Sequence, residues 1–410
     1  VITSDVPADV VDGSAAGTRG VPTPTLSVYV HFPYCLAKCP YCDFFSLAAE
    51  RSAIPHRAYA DAVLRELERR AAEFRGYSLT SVFFGGGTPS LWEPEELGRV
   101  LAGIHEAFPS ADAEVTAECN PSSFDERRAE ELLRAGVNRV SLGVQGLERE
   151  RLGFLGRLHD AEGGLRALRV AMNAGFRRVS ADLIFGVAGE SPEDARREAL
   201  TLAELGPTHL SAYALTIEPG TRFGALAKAG RLPLLEEDLV ARSFESVGQA
   251  LASAGFEQYE ISNFARGGHY AEHNLAIWRG GAYLGLGTGA WGTVPRAGGL
   301  LRYRNAPAPE RYLTACASAA LWEISELVSD SEHVDGETAL RERLMLGLRL
   351  AEGVDVARAA RETGAVGWTR ERERAAARLV QNGRLERNGD RLRIPKRAWL
   401  FADGVVRELM

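Results

Sequence analysis

The residues best suited to chemistry are three cysteines in the run Cys35-Leu36-Ala37-Lys38-Cys39-Pro40-Tyr41-Cys42, a C-x3-C-x2-C spacing. It follows directly on the apolar segment Val28-Tyr29-Val30-His31-Phe32. Three of the chain's 5 cysteines sit in this one stretch. Thiolates this close on one loop can hold three corners of a four-iron cluster and leave the fourth iron without a protein ligand. Structural zinc would ask for four ligands in a closed tetrahedron, and a disulfide pair would leave one odd thiol. An open iron is a place for chemistry.

Such a loop needs a scaffold. From Leu26 onward short apolar runs alternate with amphipathic stretches: Ser27 to His31, Ser81 to Phe84, Glu114 to Glu118, Arg139 to Val144, Arg178 to Ile184 and His209 to Ala214 read as strands. Between them His56 to Phe74, Pro94 to Phe108, Asp125 to Ala135, Asp160 to Ala174 and Pro192 to Leu205 carry the 3.6-residue period of helices. This α/β series predicts parallel strands, in an open doubly wound sheet or part of a barrel, with the active site at the carboxyl ends of the strands. The cysteine loop lies at that end. So does Gly85-Gly86-Gly87-Thr88-Pro89, whose bare backbone lets a ligand approach closely. Glu118, Gln145 and Asp182 place polar groups around the same mouth, where a carboxylate can accept hydrogen bonds from ribose hydroxyls. Arg157 can face a carboxylate with its planar fork of donors.

The chain has 410 residues, 45% hydrophobic and 25% charged, the composition of an ordinary soluble globular protein. No apolar run approaches the roughly 18 to 20 residues of a membrane span. Residues 1–25 lack a basic start and an apolar core, so they predict a disordered tail and no signal peptide. An odd cysteine count with three clustered predicts a reducing, cytoplasmic setting. The net charge of −7 gives no overall attraction to nucleic acid.

After Thr216 the pattern changes. Residues 217–325 read as an extension containing a long helix over Leu234 to Ala254, a strand over Phe256 to Ile261, and the segment His273-Asn274-Leu275-Ala276-Ile277-Trp278. The Gly-rich run from Tyr283 to Trp291 follows. A histidine among aromatic and small residues can line a flat cofactor pocket, since imidazole is a common axial ligand of haem iron. Ser325 to Glu337 is polar and acidic and reads as a linker or exposed loop. Beyond it, three helices and a hairpin turning at Asn388-Gly389 predict a winged-helix-like module over 326–410. In this module Arg370, Arg372 and Arg374 alternate with Glu371 and Glu373, which reads as a salt-bridged surface and not as a DNA-binding face.

From Leu26 to the C-terminus the chain resembles the coproporphyrinogen III oxidase-like branch of the radical S-adenosylmethionine (SAM) proteins. The phrases that carry the resemblance are Tyr29-Val30-His31-Phe32-Pro33, the cysteine loop, Phe84-Gly85-Gly86-Gly87-Thr88-Pro89-Ser90, Glu118-Cys119-Asn120-Pro121, Arg139 to Gln145, Gly156-Arg157 and Asp182-Leu183-Ile184. The resemblance implies an incomplete (β/α)6 TIM-like barrel over 26–216 and a [4Fe-4S] cluster on Cys35, Cys39 and Cys42. It also implies SAM contacts from Tyr29, Tyr41, Gly86, Gly87, Thr88, Glu118, Gln145, Arg157 and Asp182. Oxidases of this branch continue the loop as C-x3-C-x2-C-x-C; here Phe44 stands where the fourth cysteine would be. The C-D-F-x-S ending and the H-N-x-x-x-W segment resemble the branch's haem chaperones instead, although Ile277 replaces the tyrosine of their signature. That likeness implies haem binding by His273, Asn274 and Trp278, and delivery of haem to acceptor proteins. Membrane-bound respiratory enzymes are among the implied acceptors, and a homodimer is among the implied assemblies. The alternative within the branch is an enzyme that removes carbon dioxide from porphyrinogen propionates to leave vinyl groups.

Overall fold

The computed structural model describes residues 23–296, 299–317 and 324–410. The tail expected over 1–25 falls largely on 1–22, outside the described residues, and Thr25 already belongs to the first strand. Six parallel strands follow in sequence order: β1 (Thr25–Phe32), β2 (Ser78–Gly86), β3 (Glu114–Cys119), β4 (Arg139–Gln145), β5 (Arg178–Phe185) and β6 (His209–Ala214). Parallel neighbours need long crossovers. These are α1 (His56–Arg70), α2 (Pro94–Ala107), α3 (Glu126–Arg134), the short α4 (Arg149–Phe154), α5 (Ala161–Ala174) and α6 (Pro192–Glu204). Caps set their starts: Asp125, Glu148 and Asp160 accept from backbone N–H groups of α3, α4 and α5, and Ser191 with Asp194 forms a capping box on α6.

Alternation along β1 sorts its side chains. Leu26, Val28, Val30 and Phe32 are fully buried in the hydrophobic core, whereas Ser27, Tyr29 and His31 share the other face with polar side chains of the neighbouring strands. That second face is the lumen of the barrel. After β6 come α7 (Arg222–Lys228) and α8 (Glu237–Ser253), then β7 (Glu257–Gln258), β8 (Asn263–Ala265), α9 (Glu272–Trp278) and β9 (Ala282–Leu286). The resulting sheet has the order β9-β1-β2-β3-β4-β5-β6-β8-β7, with β9 parallel to β1 and β8 antiparallel to β6. One expectation is corrected here: the strand expected over Phe256 to Ile261 shrinks to two residues. The first part of the Gly-rich run forms a seventh parallel strand. Gly285 is needed because a Cβ there would lie 1.8 Å from the carbonyl oxygen of Trp291.

The sheet curls around the start of α9. The backbone N–H of Ala271 donates to the Tyr259 hydroxyl, which also bonds His209 of β6, while His273 reaches Ser81 of β2 on the opposite side. One short segment thus spans the barrel floor.

A second sheet contains β10 (Trp291–Arg296), β11 (Gly299–Asn305) and β12 (Val328–Val334), with α10 (Pro309–Ala317) and α11 (Ile324–Leu327) before β12. The linker expected over Ser325 to Glu337 is therefore mostly a strand. Its polar composition misleads because β12 is an edge strand with most side chains in water. The C-terminal module has its own apolar core, formed by α12 (Gly336–Gly347), β13 (Val354–Asp355), α13 (Val356–Thr363), α14 (Arg370–Gln381), β14 (Glu386–Asn388), β15 (Arg391–Arg393) and α15 (Ala402–Leu409). Helices with a three-stranded sheet of order β13-β15-β14 match the expected winged-helix-like pattern. Arg372 departs from the surface expected of it: 3% exposed, it donates to the carbonyls of Val366, Gly367 and Leu409 and pairs with Glu337.

Candidate cofactor site at the barrel mouth

Cys35, Cys39, Tyr41, Cys42, Gly86, Gly87, Thr88, Glu118, Gln145, Arg157 and Asp182 line one cavity of about 500 Å3 at the carboxyl ends of the strands. Strand order explains the convergence: most of these residues stand at the end of a strand or in the loop just beyond it, Asp182 lies within β5, and Arg157 follows α4. The three thiols are half-buried and free. Thr88 Oγ1 lies 3.4 Å from Cys35 Sγ, and Arg157 Nη1 lies 3.5 Å from Cys39 Sγ. Among the described residues no three ligating side chains converge as a ready-made metal tripod, so iron would be gathered by turning these thiols inward. Burial raises the Cys35 thiol and pushes Cys42 up to about 11. A bound cation reverses that preference, because it stabilises the thiolate that desolvation disfavours.

Gly86 and Gly87 are required by close approach. A Cβ on Gly86, where φ is 109°, would lie 2.5 Å from the His31 ring, and one on Gly87 would lie 2.7 Å from the Tyr34 carbonyl oxygen. Their N–H groups are occupied: Gly86 donates to Glu118 Oε2 at 3.2 Å, Gly87 to Phe32 at 2.7 Å, and Thr88 to Tyr34 at 2.9 Å. The N–H groups of Gly86, Gly87 and Thr88 are thus already committed within the protein.

Glu118 and Asp182 face one another across the lumen end of the cavity. Burial, with the Asp182 charge adding to it, pushes Glu118 up to about 7. Burial also raises Asp182, opposed by hydrogen bonds from Ser211 and Ser141; Ser141 Oγ donates to Asp182 Oδ1 at 3.1 Å. Gln145 has φ of 67°, and among the described residues it is the one non-glycine in that left-handed region. Such strain persists where surrounding structure imposes it, commonly at a functional site. Gln145 Oε1 and Arg157 Nε are buried without a hydrogen-bond partner, as expected of polar groups aimed at a ligand. Arg157 Nη2 donates to the Gly143 carbonyl at 2.7 Å, which fixes its fork at the rim.

Two expected sites sit elsewhere. Tyr29 does not line the cavity; it lies one lumen layer below, where a Cβ on Gly85 would touch its ring at 2.9 Å. His273 is 3% exposed in the barrel floor, with Nδ1 2.9 Å from Ser81 Oγ and its backbone N–H donating to Glu114 at 3.2 Å. Burial pushes it down to about 3, so the ring is neutral. Trp278 instead lines a separate cavity of about 400 Å3 against the C-terminal module. Five residues at about 100° each put these two side chains roughly 140° apart around α9, so they do not face one ligand in this conformation. Sequence reasoning also missed Ser141, Tyr213 and Glu218 on the main cavity's wall. The alternation of β4 marks Ser141 as facing inward; no comparable local signal marks Glu218.

A cluster of three thiols, orphaned polar groups and a glycine turn without side chains fits a four-iron cluster with a chelating small molecule, the arrangement of a radical SAM protein. A family profile described as the Radical SAM superfamily matches residues 29–202, and one described as the HemN C-terminal domain matches 334–401. The chain is 36% identical to "Heme chaperone HemW" of Mycobacterium tuberculosis (strain ATCC 25618 / H37Rv), over 96% of this chain and 97% of that relative. It is 42% identical to the protein of the same name in Escherichia coli (strain K12), over 67% and 71%. It belongs to the HemW family of radical SAM proteins, in which the superfamily's [4Fe-4S] cluster and SAM are the expected cofactors. The solved structure of coproporphyrinogen III oxidase (HemN) from Escherichia coli superposes with a TM-score of 0.78 at 21% identity, covering 95% of this chain and 91% of that one, and shows the shared fold. Among the described residues no helix is long and apolar enough to cross a membrane.

Proposed function

We propose that this chain is a haem chaperone, which binds haem and passes it to haem-requiring acceptor proteins, with a SAM-ligated cluster at the barrel mouth. Residue 44 carries this reading. Where the oxidase-type loop has a fourth cysteine, Phe44 stands 64% exposed at the cavity edge and offers no sulfur or proton donor to a substrate. Such an apolar rim suits contact with a flat macrocycle or a partner better than it suits catalysis.

Cys35, Cys39 and Cys42 would hold the cluster, whose open iron supplies a Lewis-acidic, one-electron centre when bound. The glycine turn would receive the SAM ammonium, Arg157 its carboxylate, and Glu118 with Asp182 the ribose hydroxyls, with Thr88, Gln145 and Tyr41 packed around them. Tyr29 would support this shell from beneath. For haem, the exposed part of the α9 segment supports the reading. Trp278 forms an apolar wall with Leu350, Val354 and Ala359, and the cavity rim carries Arg391, Arg279 paired with Glu352, and Arg343 and Arg358 paired with Glu362, so propionates would exchange with these carboxylates for the guanidinium donors. His273 would join Asn274 and Trp278 only after leaving the floor. The acceptors in this reading include membrane-bound respiratory enzymes, the chaperone works from the cytoplasm, and a homodimer is its assembled form.

The test is anaerobic incubation of reconstituted protein with reductant, SAM and coproporphyrinogen III, beside a haem titration followed by absorption. Haem binding near stoichiometry with substrate recovered intact is the expected result. Stoichiometric conversion to vinyl product would make the chain an oxidase instead.

A further inference from the structure

A column of rings and hydrogen bonds runs through the lumen from the haem-signature segment to the cysteine loop. His273 stacks on Phe83 with centroids 4.9 Å apart and planes at 28°, and Phe83 stacks on Tyr29 at 6.2 Å and 25°. The Tyr29 hydroxyl lies 2.9 Å from His31 Nδ1, and His31 Nε2 lies 2.8 Å from the carbonyl oxygen of Phe45, three residues past Cys42. The carbonyl can only accept, so Nε2 carries the proton and Tyr29 donates to Nδ1. His31 also stacks on Phe45 at 6.0 Å and fills the space under Gly86 that a Cβ would need. Every member therefore touches either the floor helix or the parts that form the mouth.

The lower end is pinned. Ser81 donates its hydroxyl proton to Ser27 at 2.9 Å, so at the 2.9 Å contact with His273 the ring's Nδ1–H is the donor. Nε2 then keeps its lone pair, the form iron takes. With the ring 3% exposed, a haem plate reaches that nitrogen only if α9 lifts from the floor.

We propose that His273 is a positioning residue for the cysteine loop, acting through Phe83, Tyr29 and His31, and that haem capture by this histidine and SAM binding at the mouth are antagonistic in consequence. This rests on the haem reading above and supplies it with a release device. The seated state of α9 holds the column and favours the SAM-binding mouth, whereas haem selects the lifted state, and each ligand weakens the other by one shared factor.

The experiment uses the full chain with its cluster reconstituted. Haem affinity is measured by absorption with and without saturating SAM, and SAM affinity by equilibrium dialysis with and without haem. Both are expected to weaken by the same factor, about tenfold, within the usual range of coupling between sites. Ser81→Ala removes the pin and keeps the ring stack, so haem should bind more tightly and SAM more weakly; a merely structural role moves both the same way or neither. Tyr29→Phe keeps the ring and removes the bond to His31, and should reduce the antagonism to less than twofold. Equal haem affinity with and without SAM, or full antagonism in Tyr29→Phe, would overturn the coupling while leaving the chaperone reading intact. Absence of haem binding in the parent protein would overturn both.

Discussion

Glu118→Gln is the most direct probe of the mouth's electrostatics. The carboxyl is pushed from 4.5 to about 7, chiefly by burial. At roughly 1.4 kcal/mol for each tenfold change in proton affinity, the cost of ionising it in the folded apoprotein is bounded at about 3 kcal/mol. The group faces the cavity and keeps some water, so about 1–2 kcal/mol is the expected effect. The sign is opposite to that of a salt-bridged carboxylate. Below its ordinary value Glu118 is protonated in folded and unfolded chains alike and contributes nothing. Between there and about pH 7 the unfolded chain releases its proton while the folded chain holds it, so stability falls as pH rises, and the full cost is present above pH 7. Glutamine has no proton to release, and its amide oxygen can still accept from Gly86. Urea unfolding of both apoproteins at pH 5, 6, 7 and 8 should show the variant gaining about 1–2 kcal/mol on the parent between the lowest and highest pH. Stability curves that stay parallel across this range would refute the assignment of a buried, proton-holding Glu118. Comparing the two proteins cancels other groups that titrate in the same range, Glu190 among them.

Replacing any one of Cys35, Cys39 or Cys42 with serine should abolish retention of iron and sulfide after anaerobic reconstitution and gel filtration, with the far-UV circular dichroism unchanged. Arg157→Lys keeps the charge but loses the fork that reaches Gly143 and the cavity together, and should weaken SAM binding about tenfold in equilibrium dialysis. Gly86→Ala would force a methyl group to within 2.5 Å of His31 at a φ of 109°, and should lower stability by about 3 kcal/mol in urea unfolding. Arg372→Ala removes a buried guanidinium that satisfies three carbonyls, and should destabilise the C-terminal module by about 3–5 kcal/mol, read as a lower unfolding midpoint.

The barrel core was legible because its determinants are local. Each strand is an apolar run, each helix an amphipathic one, α3 to α6 with a capping residue, and the order of βα units dictates parallel pairing. The cysteine spacing likewise announces its chemistry without any fold. What lay beyond Thr216 was less legible for reasons that can be named. β9 is a short strand whose one glycine, Gly285, is there for close backbone approach, and composition alone does not separate that from a loop. β12 sits at a sheet edge with its side chains in water, so it lacks the alternation by which a half-buried strand is recognised. Arg372 belongs to a run of alternating charges, and only packing against α15 takes it out of solvent.

The same division runs through the site. Residue types and spacing were enough to nominate the thiols, the glycine turn, the acids and Arg157, because their chemistry is intrinsic and strand ends meet at one mouth. The placement of Tyr29 and His273 was decided by tertiary structure alone. Whether a side chain meets a ligand or supports the one that does depends on its depth in a lumen built from distant strands. His273 looks like a ligand as a letter in a motif; enclosed by Ser81, Phe83 and Glu114, it is a buried pin.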